Sequence, residues 1–150
     1  MGDKNIWSDE WGDQDEDWSG GGGRGKRLAR GDDLGASVYE LDPGNFVVYH
    51  FHHRWEELLV VLRGNPTLRT PEGERMLDEG EVVLFPVGPD GAHALTNETD
   101  SPVRYLMAST QGAPEVVEYP ELGQITAQAR TGSQTGKQLW FIYDVPRSAE

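Results

Sequence analysis

The stretch "GNFVVYHFHHRWEELLVVLRG", residues 44–64, contains three of the four histidines of this 150-residue chain. Residues two apart on a β-strand project from the same face, so His50 and His52 point together while His53 points the other way. Two imidazoles side by side on one face can chelate a divalent metal. The stretch therefore predicts a strand that carries half of a metal site.

Further metal ligands are available on the neighbouring strands. Glu56 and Glu57 open the next apolar run, "LLVVLR", and only one of them can share the face of the histidine pair. His93, the remaining histidine, begins a later strand after the turn "PVGPDGA" and is the natural fourth ligand. Histidines that merely decorate a surface strand are the alternative. That alternative explains poorly why all four histidines lie in two places, each beside a turn.

Short apolar runs separated by turn residues extend outward from this stretch, from residue 36 to about residue 110. With 19 glycines and nine prolines in the chain, at least seven short strands and no convincing helix indicate an all-β protein, a closed barrel or a jelly roll. After residue 110, "PEVVEYP" (114–120) is predicted to be an edge strand or lid segment, residues 122–137 to be loop, and "QLWFIYDV" (138–145) to be a last strand.

Residues 1–30 read as an acidic, Trp- and Gly-rich tail and linker. Trp7, Trp11 and Trp18 would lie along one face of a helix, so the tail is either disordered or docks through its indoles on its own domain or on a neighbouring subunit. The run "GGGGRGKR" (20–27) approaches the phosphate-loop pattern, but Arg27 stands where that loop offers a hydroxyl to magnesium. A linker or an ordered arm is the better interpretation.

Composition excludes several classes of partner. The net charge of −13 argues against nucleic acid and anionic membranes, since phosphate binding needs concentrated Lys and Arg. The chain has no cysteine and no long apolar run, which predicts a soluble cytoplasmic protein without disulfides or membrane spans. The expected partners are a small molecule and another protein chain.

The first stretch resembles the first sequence motif of the cupin superfamily. That motif is a glycine, five residues, His, one residue, His, three or four residues, Glu, six residues and a glycine. Gly44, His50, His52, Glu57 and Gly64 match every spacing. The resemblance therefore selects Glu57 as the ligand and leaves Glu56 to the solvent.

A second cupin motif follows a short intervening loop. Gly80, Pro86 and Gly88 have the family's spacing, and His93 and Asn97 have it relative to each other. Between Gly88 and His93, however, four residues replace the two of the motif. The resemblance covers residues 36–110, about half of the chain.

The resemblance implies a double-stranded β-helix, or jelly-roll cupin barrel, over residues 31–120, with a flexible acidic N-terminal tail and a C-terminal extension over 121–150. It implies a metal near the barrel centre held by His50, His52, Glu57 and His93. It also implies a homodimer in which N-terminal arms are exchanged.

Function is predicted in outline only. Imidazole and carboxylate ligands suit iron, manganese, nickel, copper, cobalt and zinc alike. Alternation predicts a mostly apolar substrate pocket formed by Phe46, Val48, Leu59, Val61 and Leu95, with Asn97 as a polar contact. Arg69 and Arg104 are candidates for pairing with an anionic substrate, although outward surface positions are the simpler expectation for both.

Three classes of function remain open. The first is a metal-dependent enzyme of the oxygenase or isomerase type acting on a small molecule. The second is a non-catalytic binding or sensing module, and the third is a structural or storage protein. Apolar walls favour oxygen chemistry, whereas sugar-phosphate isomerisation would require basic residues that converge on the pocket.

Overall fold

A computed structural model describes residues 4–11, 23–130 and 138–146 of the chain. These residues contain strands and one turn of 3-10 helix, Pro89–Gly91. The strands are β1 Gly23–Arg30, β2 Leu34–Leu41, β3 Phe46–His52, β4 Glu57–Arg63, β5 Thr67–Thr70, β6 Gly73–Met76, β7 Val82–Phe85, β8 His93–Thr96, β9 Val103–Thr110, β10 Glu115–Tyr119, β11 Gln124–Arg130 and β12 Gln138–Asp144.

The strands form two antiparallel sheets that enclose one core. One sheet has the order β1-β2-β9-β4-β7 and the other has the order β12-β11-β10-β3-β8-β5-β6. Buried side chains of both sheets meet between them, among them Leu59 of β4, Leu68 of β5, Leu95 of β8 and Tyr105 of β9. The all-β double-stranded β-helix that the sequence predicts is thereby confirmed.

The apolar run of β4 serves two faces. Leu59 and Val61 are 1% exposed and point into the core. Leu58 points to the outer face of the sheet and is 37% exposed. Leu58 pairs with Leu84 of β7, which is also exposed. Alternation places Glu57 on the inner face with Leu59, and this is what aims its carboxylate into the barrel.

Part of a segment that the sequence presents as loop is a strand. Within residues 122–137, which were predicted to be loop, β11 pairs with β10 along five positions and with β12 along seven, and residues 131–137 lie outside the described residues. The loop prediction was wrong there because "QITAQAR" consists mostly of small and polar residues with little apolar alternation. Strand β10 in turn lies between β3 and β11, not at a sheet edge.

The glycine-rich run continues into β1, which pairs with β2 in the first sheet. A Cβ on Gly25 would lie 2.5 Å from the ring of Tyr39, so glycine allows the two strands to pack this closely. Glycine in this run therefore serves close packing of an ordered strand. Residues 20–22 lie outside the described residues.

Residues 4–11 lie against the outer face of the five-stranded sheet. The guanidinium of Arg104, 1% exposed, donates to Glu40 at 2.7 and 2.9 Å, to the Ile6 carbonyl at 3.2 Å and to Asp9. It also lies 4.9 Å from the centre of the Trp11 ring. The tail residues described here thus dock on their own domain, while Trp18 lies outside the described residues.

We expect Trp11→Ala to lower the free energy of unfolding by about 1–3 kcal/mol, because Trp11 packs under three cations. Arg24 and Lys26 lie 5.1 and 5.3 Å from its ring, in addition to Arg104. Trp7 is the matched control, since it is 52% exposed and has Arg63 at 5.8 Å. Urea unfolding checks the difference. If Trp11→Ala loses no more stability than Trp7→Ala, the cation contacts of Trp11 contribute nothing beyond those of an exposed indole.

Candidate metal centre

Strands β3, β4 and β8 bring the candidate ligands together. His50 pairs directly with His93 across β3 and β8, and their ring centres are 4.5 Å apart. His52 lies further along the same strand, with its ring centre 5.2 Å from that of His50. One ligand atom from each of His50, His52 and Glu57 lies within 4.8 Å of the others. His93 Nε2 is 3.3 Å from Glu57 Oε2, so the fourth residue adjoins the same point.

Each histidine ring of this cluster is oriented through its Nδ1 atom. His50 Nδ1 lies 2.6 Å from the Val48 carbonyl oxygen, and His93 Nδ1 lies 2.9 Å from the Gly91 carbonyl oxygen. A carbonyl only accepts, so these contacts place the proton on Nδ1 and leave the Nε2 lone pair available for a metal. Metal-binding histidines are commonly held in this way.

His52 is oriented by a carboxylate instead. Its Nδ1 lies 3.2 Å from Oε1 of Glu115, a residue with no exposed surface, at the start of β10. The Trp55 ring stacks on the His52 imidazole, with ring centres 5.8 Å apart and ring planes inclined by 17°. Glu115 could not be identified from the sequence, because nothing local links it to a histidine 63 residues away.

The ligand atoms that point inward lie close together but lack well-formed hydrogen bonds. His52 Nε2, His93 Nε2 and Glu57 Oε2 are buried without a well-formed hydrogen-bond partner, although both imidazole nitrogens lie near the carboxylate, at 3.1 and 3.3 Å. Buried polar atoms are normally satisfied, and a metal ion would satisfy all three at once. The residues present therefore fit a divalent transition metal.

The charges of the cluster agree with a cation site. Burial, with the neighbouring His93 and His52, lowers the pKa of His50 to about 4. Burial also opposes charge on His52 and Glu57. For His52, the carboxylates of Glu115 and Glu57 outweigh burial and raise the pKa to about 9. Contacts with His52 and His93 likewise hold the pKa of Glu57 well below its usual range. Without a metal, a proton on His52 thus supplies positive charge between two buried carboxylates.

The long turn of the second motif is filled by the 3-10 helix Pro89–Gly91, which accounts for the two additional residues before His93. A Cβ on Gly91 would lie 1.7 Å from the Pro86 carbonyl oxygen, so only glycine fits this turn. The Phe85 ring stacks on His93 with centres 3.7 Å apart. The turn and this stack place the imidazole directly opposite His50 despite the longer spacing.

His53 and Glu56 lie away from the cluster. The His53 side chain is half exposed, and its Nε2 lies 2.9 Å from Glu118 Oε2 on the outer surface. Glu56 is exposed, and its backbone N–H donates to the Thr110 hydroxyl at 2.9 Å. Strand alternation and the motif spacing predict this separation.

The cluster lies in the wall of a cavity of about 300 Å³ between the two sheets. Val48, Leu59 and Leu95 of the predicted pocket line it. The other lining residues are Tyr39, Val47, His50, His52, Trp55, Glu57, Leu68, Phe85, His93, Tyr105, Met107 and Tyr119.

Three residues of the predicted pocket lie elsewhere. Phe46 is 51% exposed, because the pairing of β3 with β8 shifts between Val47 and His50 and breaks strict alternation. Val61 belongs to the closed core. Asn97 is fully buried, and its amide donates to the carbonyls of Leu41 and Ser101 at 2.9 and 2.8 Å, which is a structural role.

Tyrosines make the cavity more polar than the sequence analysis predicts. Tyr39 and Tyr105 stack with ring centres 5.4 Å apart, and Tyr119 lies 5.8 Å from His50. Burial raises the pKa of all three phenols, so they remain protonated at neutral pH. Alternation along β2 and β9 was the signal that could have identified Tyr39 and Tyr105.

Neither arginine considered for anion pairing faces the cavity. Arg69 binds Glu121 at 2.6 Å and lies over the Tyr49 ring. Arg104 is buried under the N-terminal segment, so it is not the surface charge that was expected. Anion binding at the cavity therefore depends on other residues.

The fold and the cluster define a class of protein, a β-barrel with a candidate metal centre in its interior. The family model of the cupin domain matches residues 37–109, which include all four candidate ligands. The chain belongs to the cupin superfamily. No match was found among curated proteins.

Solved structures share this fold. A putative sugar phosphate isomerase from Acidithiobacillus ferrooxidans is 25% identical with a TM-score of 0.68, and the match covers 81% of this chain and 76% of that chain. A cupin-superfamily sugar phosphate isomerase from Silicibacter pomeroyi is 25% identical with a TM-score of 0.71, covering 85% and 82%. The polyketide cyclase RemF from Streptomyces resistomycificus, 21% identical over 64% and 70% with a TM-score of 0.57, shares the fold.

Proposed function

We propose that this cupin is a metal-dependent enzyme of the isomerase type that acts on a small hydroxylated molecule in the barrel. The observation that carries the proposal is the convergence of ligand atoms from His52, His93 and Glu57, without well-formed hydrogen bonds, in the wall of a cavity large enough for a small molecule. The names of the two 25% identical structures support the isomerase type over the oxygenase type.

His50, His52, Glu57 and His93 would hold the metal. When bound, it would act as a Lewis acid that polarises a substrate carbonyl or hydroxyl oxygen. The chain's own residues supply the surroundings. The protonated phenols of Tyr39 and Tyr119 can hydrogen-bond substrate hydroxyl groups, and the side chains of Trp55 and Met107 contribute apolar surface to the cavity wall.

Activity of chelator-treated and reloaded protein tests this function. We expect metal-free protein to be inactive and reloaded protein to interconvert an aldose phosphate and its ketose, without oxygen uptake. Parallel reloading with manganese, iron, cobalt, nickel, copper and zinc identifies the metal. Oxygen uptake would favour an oxygenase, and substrate binding without turnover would favour the binding or sensing alternative; either result contradicts the proposal.

The homodimer and the cytoplasmic location stay predictions. Exposed apolar side chains on the outer face of β4 and β7, Leu58, Val82 and Leu84, support a second copy packing there. Residues 4–11 of the N-terminal arm, in contrast, have contacts within their own chain. In the part of the chain that the structure describes, no helix has the length and apolar character needed to span a membrane.

A further inference from the structure

We infer that Arg27 forms a subsite for the phosphate monoester of the substrate at the mouth of the cavity. The inference rests on the proposed function and names its class of substrate. A second cavity of about 150 Å³ adjoins the first, and both are lined by Tyr39, Trp55, Glu57 and Met107. A molecule bound near the metal ligands can therefore extend into this second cavity, which we call the vestibule.

The register of β1 aims Arg27 into the vestibule. Lys26 pairs with Val38 and contacts the docked N-terminal segment on the outer face, where its Nζ donates to the Ser8 carbonyl at 2.8 Å. Arg27, the next residue, pairs with Ser37 and projects to the opposite, inner face. It lines the vestibule together with Ser37. Arg27 is also close enough to Tyr39 that its charge affects the pKa of that phenol.

The vestibule is cationic in a strongly acidic chain. Its polar lining residues are Arg27, Arg30, Ser37, Tyr39, Ser109, Gln111 and Gln128, together with Glu57. Glu57 is the single carboxylate among the described lining residues, and it also belongs to the metal cluster. In a chain with a net charge of −13, a cavity lined by two arginines and one carboxylate is an unusual concentration of positive charge.

Arg27 also differs from the arginines that form ion pairs with carboxylates. Arg24, Arg69, Arg75 and Arg104 each pair with a carboxylate, and none of the ion pairs among the described residues includes Arg27. An exposed arginine that lines a cavity and takes no part in these ion pairs is available for an anion.

The charge of the vestibule lining suits phosphate better than carboxylate. Arg27 and Arg30 carry two positive charges, whereas a carboxylate carries a single negative charge. A phosphate monoester has a charge of about −1.5 to −2 at neutral pH, so its charge matches that of the two arginines. The substrate would thus place its phosphate beside Arg27 and its hydroxyl or carbonyl end at the metal ligands.

Calorimetric titration of the full chain with glycerol phosphate tests the inference, with glycerate and glycerol as the carboxylate and neutral probes. We expect glycerol phosphate to bind more tightly than either, and Arg27→Gln to weaken it by about tenfold or more, since a hydrogen bond to a charged group is lost. Arg27→Lys should retain part of the affinity. Arg75→Gln removes the same charge from the outer surface, where Arg75 pairs with Glu81, and should bind like the wild type.

Equal weakening by Arg27→Gln and Arg75→Gln would overturn the subsite, and tighter binding of glycerate than of glycerol phosphate would overturn the phosphate assignment. Both titrations are run on metal-free and on zinc-loaded protein whose metal content is measured. Loss of anion binding with intact metal binding then counts against the subsite alone. Absence of metal binding counts against the proposed function instead.

Discussion

His52→Ala should bind cobalt(II) about 100-fold more weakly than the wild type or lose it altogether, because the substitution removes one of four ligands. It also leaves Glu57 and Glu115 as buried carboxylates without the imidazole between them, which should cost about 3–5 kcal/mol of stability. Titration with cobalt(II), followed by its visible absorption, measures the affinity.

The neighbouring histidine is the matched control. His53→Ala removes an imidazole from the same strand, but His53 points outward to Glu118, so cobalt(II) affinity should be unchanged. His50→Ala provides a second ligand variant that does not disturb Glu115, and circular dichroism confirms that each variant is folded. If folded His50→Ala and His53→Ala bind cobalt(II) equally well, the cluster is not a metal site.

Glu115→Leu should weaken metal binding by about 10–100-fold, the second-largest effect that we expect, although Glu115 is not itself a ligand. Its carboxylate orients His52 through Nδ1 at 3.2 Å and so presents Nε2 to the metal. Glu115→Gln keeps an oxygen that accepts from Nδ1–H and removes the charge, so it should recover part of the affinity. Nitrogen NMR of the His52 ring in zinc-loaded protein reports the tautomer directly.

A second pair of a histidine and a glutamate, His53 and Glu118 on the outer surface, provides the control for Glu115. Glu118 lies 2.9 Å from His53, and Glu118→Gln should leave both the affinity and the His52 spectrum unchanged. If Glu115→Leu binds the metal as tightly as the wild type, with the same tautomer of His52, Glu115 has no positioning role.

The core of the site was predictable because its signals are local. His50 and His52 share a face through the two-residue repeat of a strand, and the spacing to Gly64 selects Glu57. The position of His93 was harder to predict, because the turn before it is two residues longer than in the motif. The 3-10 helix Pro89–Gly91 contains the additional residues. Local rules were sufficient wherever the strands are regular.

The parts that sequence reasoning missed depend on distant or irregular pairing. Glu115 reaches His52 only because β10 pairs with β3, and Arg27 reaches the vestibule only because a glycine-rich segment forms β1. The irregular pairing of β3 with β8 turned Phe46 outward. These three positions follow from tertiary contacts that leave no periodic pattern in the chain, whereas Tyr39 and Tyr105 could have been identified from the alternation along β2 and β9.

The central claim is that this cupin holds a transition metal at His50, His52, Glu57 and His93. Elemental analysis of protein purified without added metal, run beside the His50→Ala variant, tests it most directly. The account predicts about one metal ion per chain in the wild type and a strong loss in the variant. Wild-type protein that carries no more metal than the variant, and that cannot be reloaded with any of the six candidate metals, would contradict it.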